Sequence, residues 1–200
     1  KVFGDVSGPN GFSELAPKAP SDAYGLSKCQ AEDKLVSDTR LLGMDIIIIR
    51  PPIVYGPGVG GNFNTLLKLV GLRLPLPFGR ANGHRSVVYL ANLVDFLRFV
   101  AEAENINSGI YHVSDKDSAS LAELIDLCGR ASNNRVVLLN FPPSIFSMFL
   151  RALGKRRLFS QLFEPFILNC DRTYSSTGWR PPFSLDEGLK ETINAVTSRR

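Results

Sequence analysis

A chain of 200 residues with 44% apolar content is long enough for one domain with a real core, and its net charge of +4 is too mild for a nucleic-acid footprint, which needs a clustered basic face. Cys29, Cys128 and Cys170 are odd in number and lack metal-ligand spacing, which argues against a disulfide framework or a bound metal and for a reducing, cytoplasmic setting. The longest apolar runs fall short of the ~20 residues of a transmembrane helix, so no membrane insertion is expected.

Residues 1–20 are rich in Gly, Pro and Ser and read as a loop. Pro20-Ser21-Asp22 then supplies a helix start, with Ser21 or Asp22 able to cap the first amides. Leu41-Leu42-Gly43 supplies the stop, with Gly43 suited to the left-handed position past the end. Inside that helix Tyr24 and Lys28 are four residues apart and share one face. An ammonium held beside a phenol favours the phenolate, which makes Tyr24 a candidate acid/base for a sugar or alcohol hydroxyl. The spacing alone is weak evidence, because Tyr-x-x-x-Lys pairs also arise by chance. Glu32, one turn further on, either pairs with Lys28 or stands on a solvated face. Residues 45–50 are apolar on both faces and suggest a central parallel strand. Residues 51–58 make a rigid exit at its carboxyl end, where ligands sit in open α/β sheets.

Residues 62–70 read as an amphipathic helix with Asn62 as its cap, and 74–79 as a short extended piece. A strand over 85–90 feeds a helix over 92–100, in which Asn92 and Asp95 cap the helix or tie it to the strand. A further strand spans 109–113, where His112 alternates with apolar neighbours like a core histidine. His84 sits in a Gly-rich turn, and with no third partner neither histidine is assigned to a metal or a triad. Ser118 or Ser120 caps a helix through Leu127, and residues 135–139 read as a short strand. Residues 142–166 carry two apolar helical patterns around the cationic turn 154–157. Two substrate-domain helices fit this pattern better than a basic membrane-surface stretch. Asp171 is placed as the cap of a short helix, and Ser184-Leu-Asp-Glu187 as a capping box opening the last one.

Three segments, YGLSKCQAE from Tyr24, IIIIRPPIVYGPG from Ile46 and RSVVYLANLVD from Arg85, stand in an order and spacing that resemble the extended short-chain dehydrogenase/reductase family. Within it, the likeness is to the NAD-dependent epimerases, reductases and dehydratases of nucleotide sugars. The ending G-W-x-P…S-x-x-E-G-L is similar too, so the resemblance runs from about Phe3 to about Leu189. It implies an α/β fold, the C-terminal part of a Rossmann-type enzyme with its last parallel strands and a small substrate-binding domain. Residues 1–55 would be the remainder of the NAD-binding domain, and 56–200 mainly the substrate region with interleaved Rossmann elements. Tyr24 would exchange the proton of a C4 hydroxyl, while Lys28 favours the phenolate and holds the nicotinamide ribose. Pro51 and Pro52 would shape the wall near the nicotinamide. Arg85 would bind the substrate diphosphate through its bidentate fork, or else stand exposed without ordered contact. Asn62 contacts the diphosphate or uridine in such enzymes, beside its reading as a cap. Phe78 stacks on the base in them, beside its reading as a core aromatic.

Two departures from the family pattern bear on function. The G-x-G-x-x-G of residues 56–61 follows Pro-rich sequence after a late strand and is read as a loop, not as the family's Gly-rich turn after its first strand, and the family's catalytic Ser or Thr would lie upstream of Lys1. The chain is therefore expected to begin in mid-domain and not to retain NAD or NADP by itself. Ile53 stands where sugar epimerases often carry an Asn, and an apolar side chain cannot replace an amide's hydrogen bonds. The expected function is part of an NAD(P)-dependent nucleotide-sugar C4 epimerase or 4-keto reductase in surface-polysaccharide synthesis. It would be a cytoplasmic homodimer acting on a UDP- or dTDP-sugar. The rivals are a sterol- or flavonoid-type dehydrogenase of the same superfamily and a fragment without activity.

Overall fold

Asp22 opens the first helix as its sequence implies. Its Oδ1 accepts the Gly25 amide at 2.6 Å, and α1 (Ala23–Leu42) runs until Gly43 takes the left-handed conformation, φ 64°. The computed structural model describes residues 2–58 and 60–197, with the side chains of residues 39–42, 62 and 197 outside the description. After α1 the extended segment splits where two prolines fall. β1 (Ile47–Arg50) pairs in parallel with β4 (Gly109–His112), and β2 (Ile53–Tyr55) pairs in parallel with β3 (Val87–Tyr89). Pro51 and Pro52 have no N–H to offer a ladder, so the chain changes partners across them. Among the described residues β1 has β4 as its one strand partner.

Among the described residues six helices follow before the last: α2 (Asn62–Gly71), α3 (Leu90–Glu102), α4 (Leu121–Ala131), α5 (Pro143–Ala152), α6 (Arg156–Phe163) and α7 (Asp171–Thr177); the last is α8 (Leu185–Thr197). The alternation of a strand sorts β3 between two cores. Val87 and Tyr89 join Tyr55, Phe63, Ile125 and Leu189 in a cluster built with α2, α4 and α8. Val88 faces the other way, into Phe96, Tyr111, Val113 and Trp179. A third cluster, Val2, Phe3, Cys29, Leu168 and Cys170, packs the N-terminal segment against α1. α8 approaches β2 and β3 so closely at Gly188 that a Cβ there would lie 2.6 Å from the Tyr55 hydroxyl and 2.8 Å from the Tyr89 ring.

A buried carboxylate locks this arrangement. Asp115 accepts from the Tyr55 hydroxyl at 2.7 Å, the Tyr89 amide at 2.9 Å and Asn92 Nδ2 at 2.7 Å. Asn92 also donates to the Phe183 carbonyl and accepts its amide, so it ties α3 to the strand and the chain end. It is not a cap: Tyr89 occupies that position with no side-chain cap bond.

Local chemistry places most helix starts. Ser120 with Glu123 and Ser184 with Glu187 form reciprocal capping boxes. Two expected caps are corrected. Gly61 (φ 72°) precedes α2, with Asn62 already its first helical residue, and Asp171 lies inside α7, its amide taken by Asn169 Oδ1 at 2.8 Å. Residues 135–139 are no strand either. A single parallel bridge joins Leu138 to Leu76, which is flanked by Pro75 and Pro77, and those residues lack the N–H groups that would extend a ladder.

Candidate active site

Tyr24, Lys28 and Glu32 fall at i, i+4 and i+8 of α1 and so line up along one face. The face is docked by its last member. Arg50, at the carboxyl end of β1 and buried, donates to Glu32 through Nε at 2.9 Å and Nη2 at 2.6 Å, and through Nη1 to the Glu14 carbonyl at 3.2 Å. Its guanidinium also lies 5.0 Å from the centre of the Phe3 ring. Lys18 reaches the second Glu32 oxygen at 3.0 Å. Glu32 therefore pairs with Arg50 and Lys18, not with Lys28, because a guanidinium closing a buried apolar strand needs a carboxylate more than an exposed ammonium does. Lys28 is left beside Tyr24, its Nζ 5.2 Å from the ring centre.

The start of α1 is held from the opposite direction. Arg157 of α6 donates to Asp5 at 2.7 and 3.2 Å, to Ser21 Oγ at 2.7 Å and to Asp22 Oδ2 at 2.9 Å. Tyr24 thus sits between two clamped points and is itself 59% exposed.

What it is exposed to is a cleft of about 580 Å³. Tyr24 and Lys28 form one wall, and Pro51, Pro52 and Ile53, at the carboxyl end of β1, form another. Arg85, Gln161 and Phe166 close the far end. The Arg85 backbone is fixed by exchange of hydrogen bonds with Ala119. Its Nη1 donates to the Glu164 carbonyl at 3.0 Å, and its guanidinium lies 5.1 Å from the Phe166 ring centre. Among the described residues, Nε and Nη2 of Arg85 have no partner, which leaves one edge of the fork available.

Five of the seven site residues expected from the sequence, Tyr24, Lys28, Pro51, Pro52 and Arg85, thereby meet around one cleft. Phe78 stands elsewhere, stacked on Phe146 at 5.8 Å beside the main core. The Asn62 side chain lies outside the described residues. His112 is fully buried, with Nδ1 3.1 Å from the Asn169 carbonyl, and burial pushes its pKa down, as suits a core histidine. Among the described residues no cluster of three or more His, Cys, Asp or Glu could hold a metal ion. Sequence reasoning missed Arg50, Arg157 and Gln161; a charge closing an apolar strand was the available signal for Arg50.

A model of the NAD dependent epimerase/dehydratase family matches residues 1–114. The chain belongs to that family. Its relatives include the UDP-glucose 4-epimerase of Vibrio cholerae, 36% identical over 178 residues that span 88% of this chain and 54% of that protein. The N-acetyl-alpha-D-glucosaminyl-diphospho-ditrans,octacis-undecaprenol 4-epimerase of Escherichia coli O157:H7 is 25% identical over 195 residues, 90% of this chain and 58% of that protein. The crystal structure of UDP-glucuronic acid 4-epimerase from Bacillus cereus in complex with NAD shares the fold, with a TM-score of 0.77 at 20% identity over 99% of this chain and 59% of that one. The chain thus spans a little over half the length of the curated relatives it matches. As a member of the epimerase/dehydratase family it offers a hydroxyl, an ammonium and an apolar wall side by side. These suit the sugar and ring of a nicotinamide ribose, with hydrogen-bonding groups facing apolar carbon.

Proposed function

We propose that the protein is an NAD(P)-dependent nucleotide-sugar enzyme, a C4 epimerase or 4-keto reductase of surface-polysaccharide synthesis, working as a cytoplasmic homodimer on a UDP- or dTDP-sugar. The observation that carries this reading is the convergence of Tyr24, Lys28, the Pro51–Pro52 wall and the open edge of Arg85 on one cleft. The Vibrio cholerae relative, a UDP-glucose 4-epimerase, supports the UDP choice.

In this reading residues 1–55, with β3, α3 and β4, form the cofactor side, and the rest of 56–200 the substrate side. Tyr24 holds the proton that leaves or returns to the C4 oxygen, and Lys28 beside its ring stabilises negative charge on the phenol oxygen while that proton is away. Lys28 also grips the nicotinamide ribose, and Pro51 and Pro52 keep water from the reacting carbon. Arg85, pinned by the Glu164 carbonyl on one side, gives Nε and Nη2 to the diphosphate. Bound NAD supplies the hydride acceptor and donor. This chain by itself holds the dinucleotide weakly, since its glycine-rich segment, residues 56–61, follows the Pro-rich exit of a late strand and not the first strand of a Rossmann half, where the pyrophosphate is received. The sterol- or flavonoid-type alternative draws its support from Ile53, an apolar side chain on the cleft wall.

Calorimetric titration of the whole protein with UDP separates the two. Arg85→Ala should weaken UDP binding by about 1.5–3 kcal/mol, the scale of a charged hydrogen bond. Arg85→Lys should recover part of that, because an ammonium cannot reproduce the fork, and NAD affinity should barely change. Equal UDP affinity in all three proteins, or none in the wild type, would move the assignment to the sterol-like branch.

A further inference from the structure

α5 turns Phe146 and Leu150 inward, where Phe146 meets Phe78, Phe141 and Phe163. Its outward face is apolar as well. Ile145, Met148 and Phe149 follow helical spacing there, with Met148 69% and Phe149 61% exposed, and Leu153 extends the patch beyond the helix end. A surface helix ordinarily turns polar residues to water, so a second apolar face calls for a second partner. Arg151, Lys155 and Arg156 border this patch. Among the described residues none of the three has a side-chain hydrogen bond or ion pair, whereas Arg157 is committed to Asp5 and Asp22. Arg151, Arg156, Ser147 and Ser160 line a cavity of about 520 Å³ on the same hairpin. Of the two acids there, Asp5 is already paired with Arg157, leaving Glu164 against the free cations.

We propose that the α5–α6 hairpin is a docking surface for an anionic phospholipid bilayer, with Met148, Phe149 and Leu153 at the headgroup–acyl boundary and Arg151, Lys155 and Arg156 on lipid phosphates, one of them received in the cavity. Charge complementarity selects this occupant. A second copy meeting the patch face to face would bring the same unpaired cations together, and a neutral surface would leave them without partners. Exposed apolar side chains beside unpaired Lys and Arg are the composition of interfacial helices. The contact is peripheral, since among the described residues no helix is long and apolar enough to cross a membrane. It also brings the cleft to the leaflet, because α6 supplies Gln161 to the cleft wall and a carbonyl, that of Ser160, to Arg85. Docking stands whether or not the cleft takes a nucleotide sugar.

Co-sedimentation of the chain with vesicles tests this. Binding is expected to vesicles containing phosphatidylglycerol and not to pure phosphatidylcholine, and it should weaken as salt is raised. R151E/R156E and, independently, M148S/F149S should each lower the affinity at least about tenfold, the scale of two cations at a charged leaflet for the first pair. Each variant is read only if its circular dichroism matches the wild type; if neither folds, the lipid and salt dependence of the wild type decides. Equal partition to neutral vesicles, no binding at all, or binding that survives both double variants would overturn the proposal. So would a dimer in light scattering that M148S/F149S dissolves, which would give the face to a second copy instead.

Discussion

Glu32 shows how one ion pair sets the position of two other side chains. Burial alone would raise its carboxyl, but hydrogen bonds from Arg50 and Lys18, with their charges, hold it below the ordinary 4.5. A folded value below the unfolded one stabilises the native state above the unfolded pKa, and that contribution is lost as pH falls through the lowered value. Glu32→Gln should therefore cost about 3 kcal/mol near neutral pH, because it leaves the Arg50 guanidinium buried without its charge partner. The gap between wild type and variant should narrow below about pH 4. Urea unfolding at pH 7 and under acid conditions measures both, and a gap independent of pH would contradict the account. Tyr24 and Lys28 were legible because their relation is local, one helical turn. Glu32 and Arg50 are 18 residues apart, and a reading confined to α1 offers Glu32 only Lys28, one turn back, or a solvated face. What decides the pairing is burial of Arg50, a property of β1 that appears only when the strand and α1 are packed together.

At the scale of elements, helix ends were largely legible because caps are local hydrogen bonds: Asp22, Gly43, Ser120–Glu123 and Ser184–Glu187 all act as their residue types imply. Strand partners were not, because pairing depends on segments distant in sequence. The Pro51–Pro52 break between β1 and β2 and the truncation of pairing at 135–139 have one cause, missing amide donors, that was visible in the sequence. Segment 142–166 was read as a choice between packed helices and a basic surface, yet α5 has an inward face that packs and an outward apolar face edged with free cations. Gly188 marks the tightest approach between elements. Gly188→Ala would drive a methyl into the Tyr55 hydroxyl and the Tyr89 ring, so α8 must move off β2 and β3. A loss of about 1–3 kcal/mol is expected in chemical denaturation, the usual cost of overpacking, even though alanine is the better helix former. Unchanged or raised stability would show that α8 packs more loosely than this.

The molecule as a whole is a set of short parallel strands and flanking helices that bring one helix face, one strand exit and one arginine to a shared cleft. The family and the α/β class were legible from three ordered segments, since the spacing of α1, β1 and β3 reflects the fold directly. The far wall of the cleft was not, because Gln161 and Phe166 reach it from a segment more than a hundred residues after Tyr24 in sequence. The same segment matters to the chemistry, as its Arg157 clamps the start of the helix that carries Tyr24. The most direct test of the central claim is the turnover of Tyr24→Phe in the whole protein, followed by NMR on a panel of UDP- and dTDP-sugars with NAD present. The variant should keep the fold and the UDP affinity of the wild type while its rate falls by roughly 10²-fold or more, the usual contribution of a positioned acid/base. A rate within a few-fold of wild type would make Tyr24 a structural residue of α1 and remove the proposed mechanism.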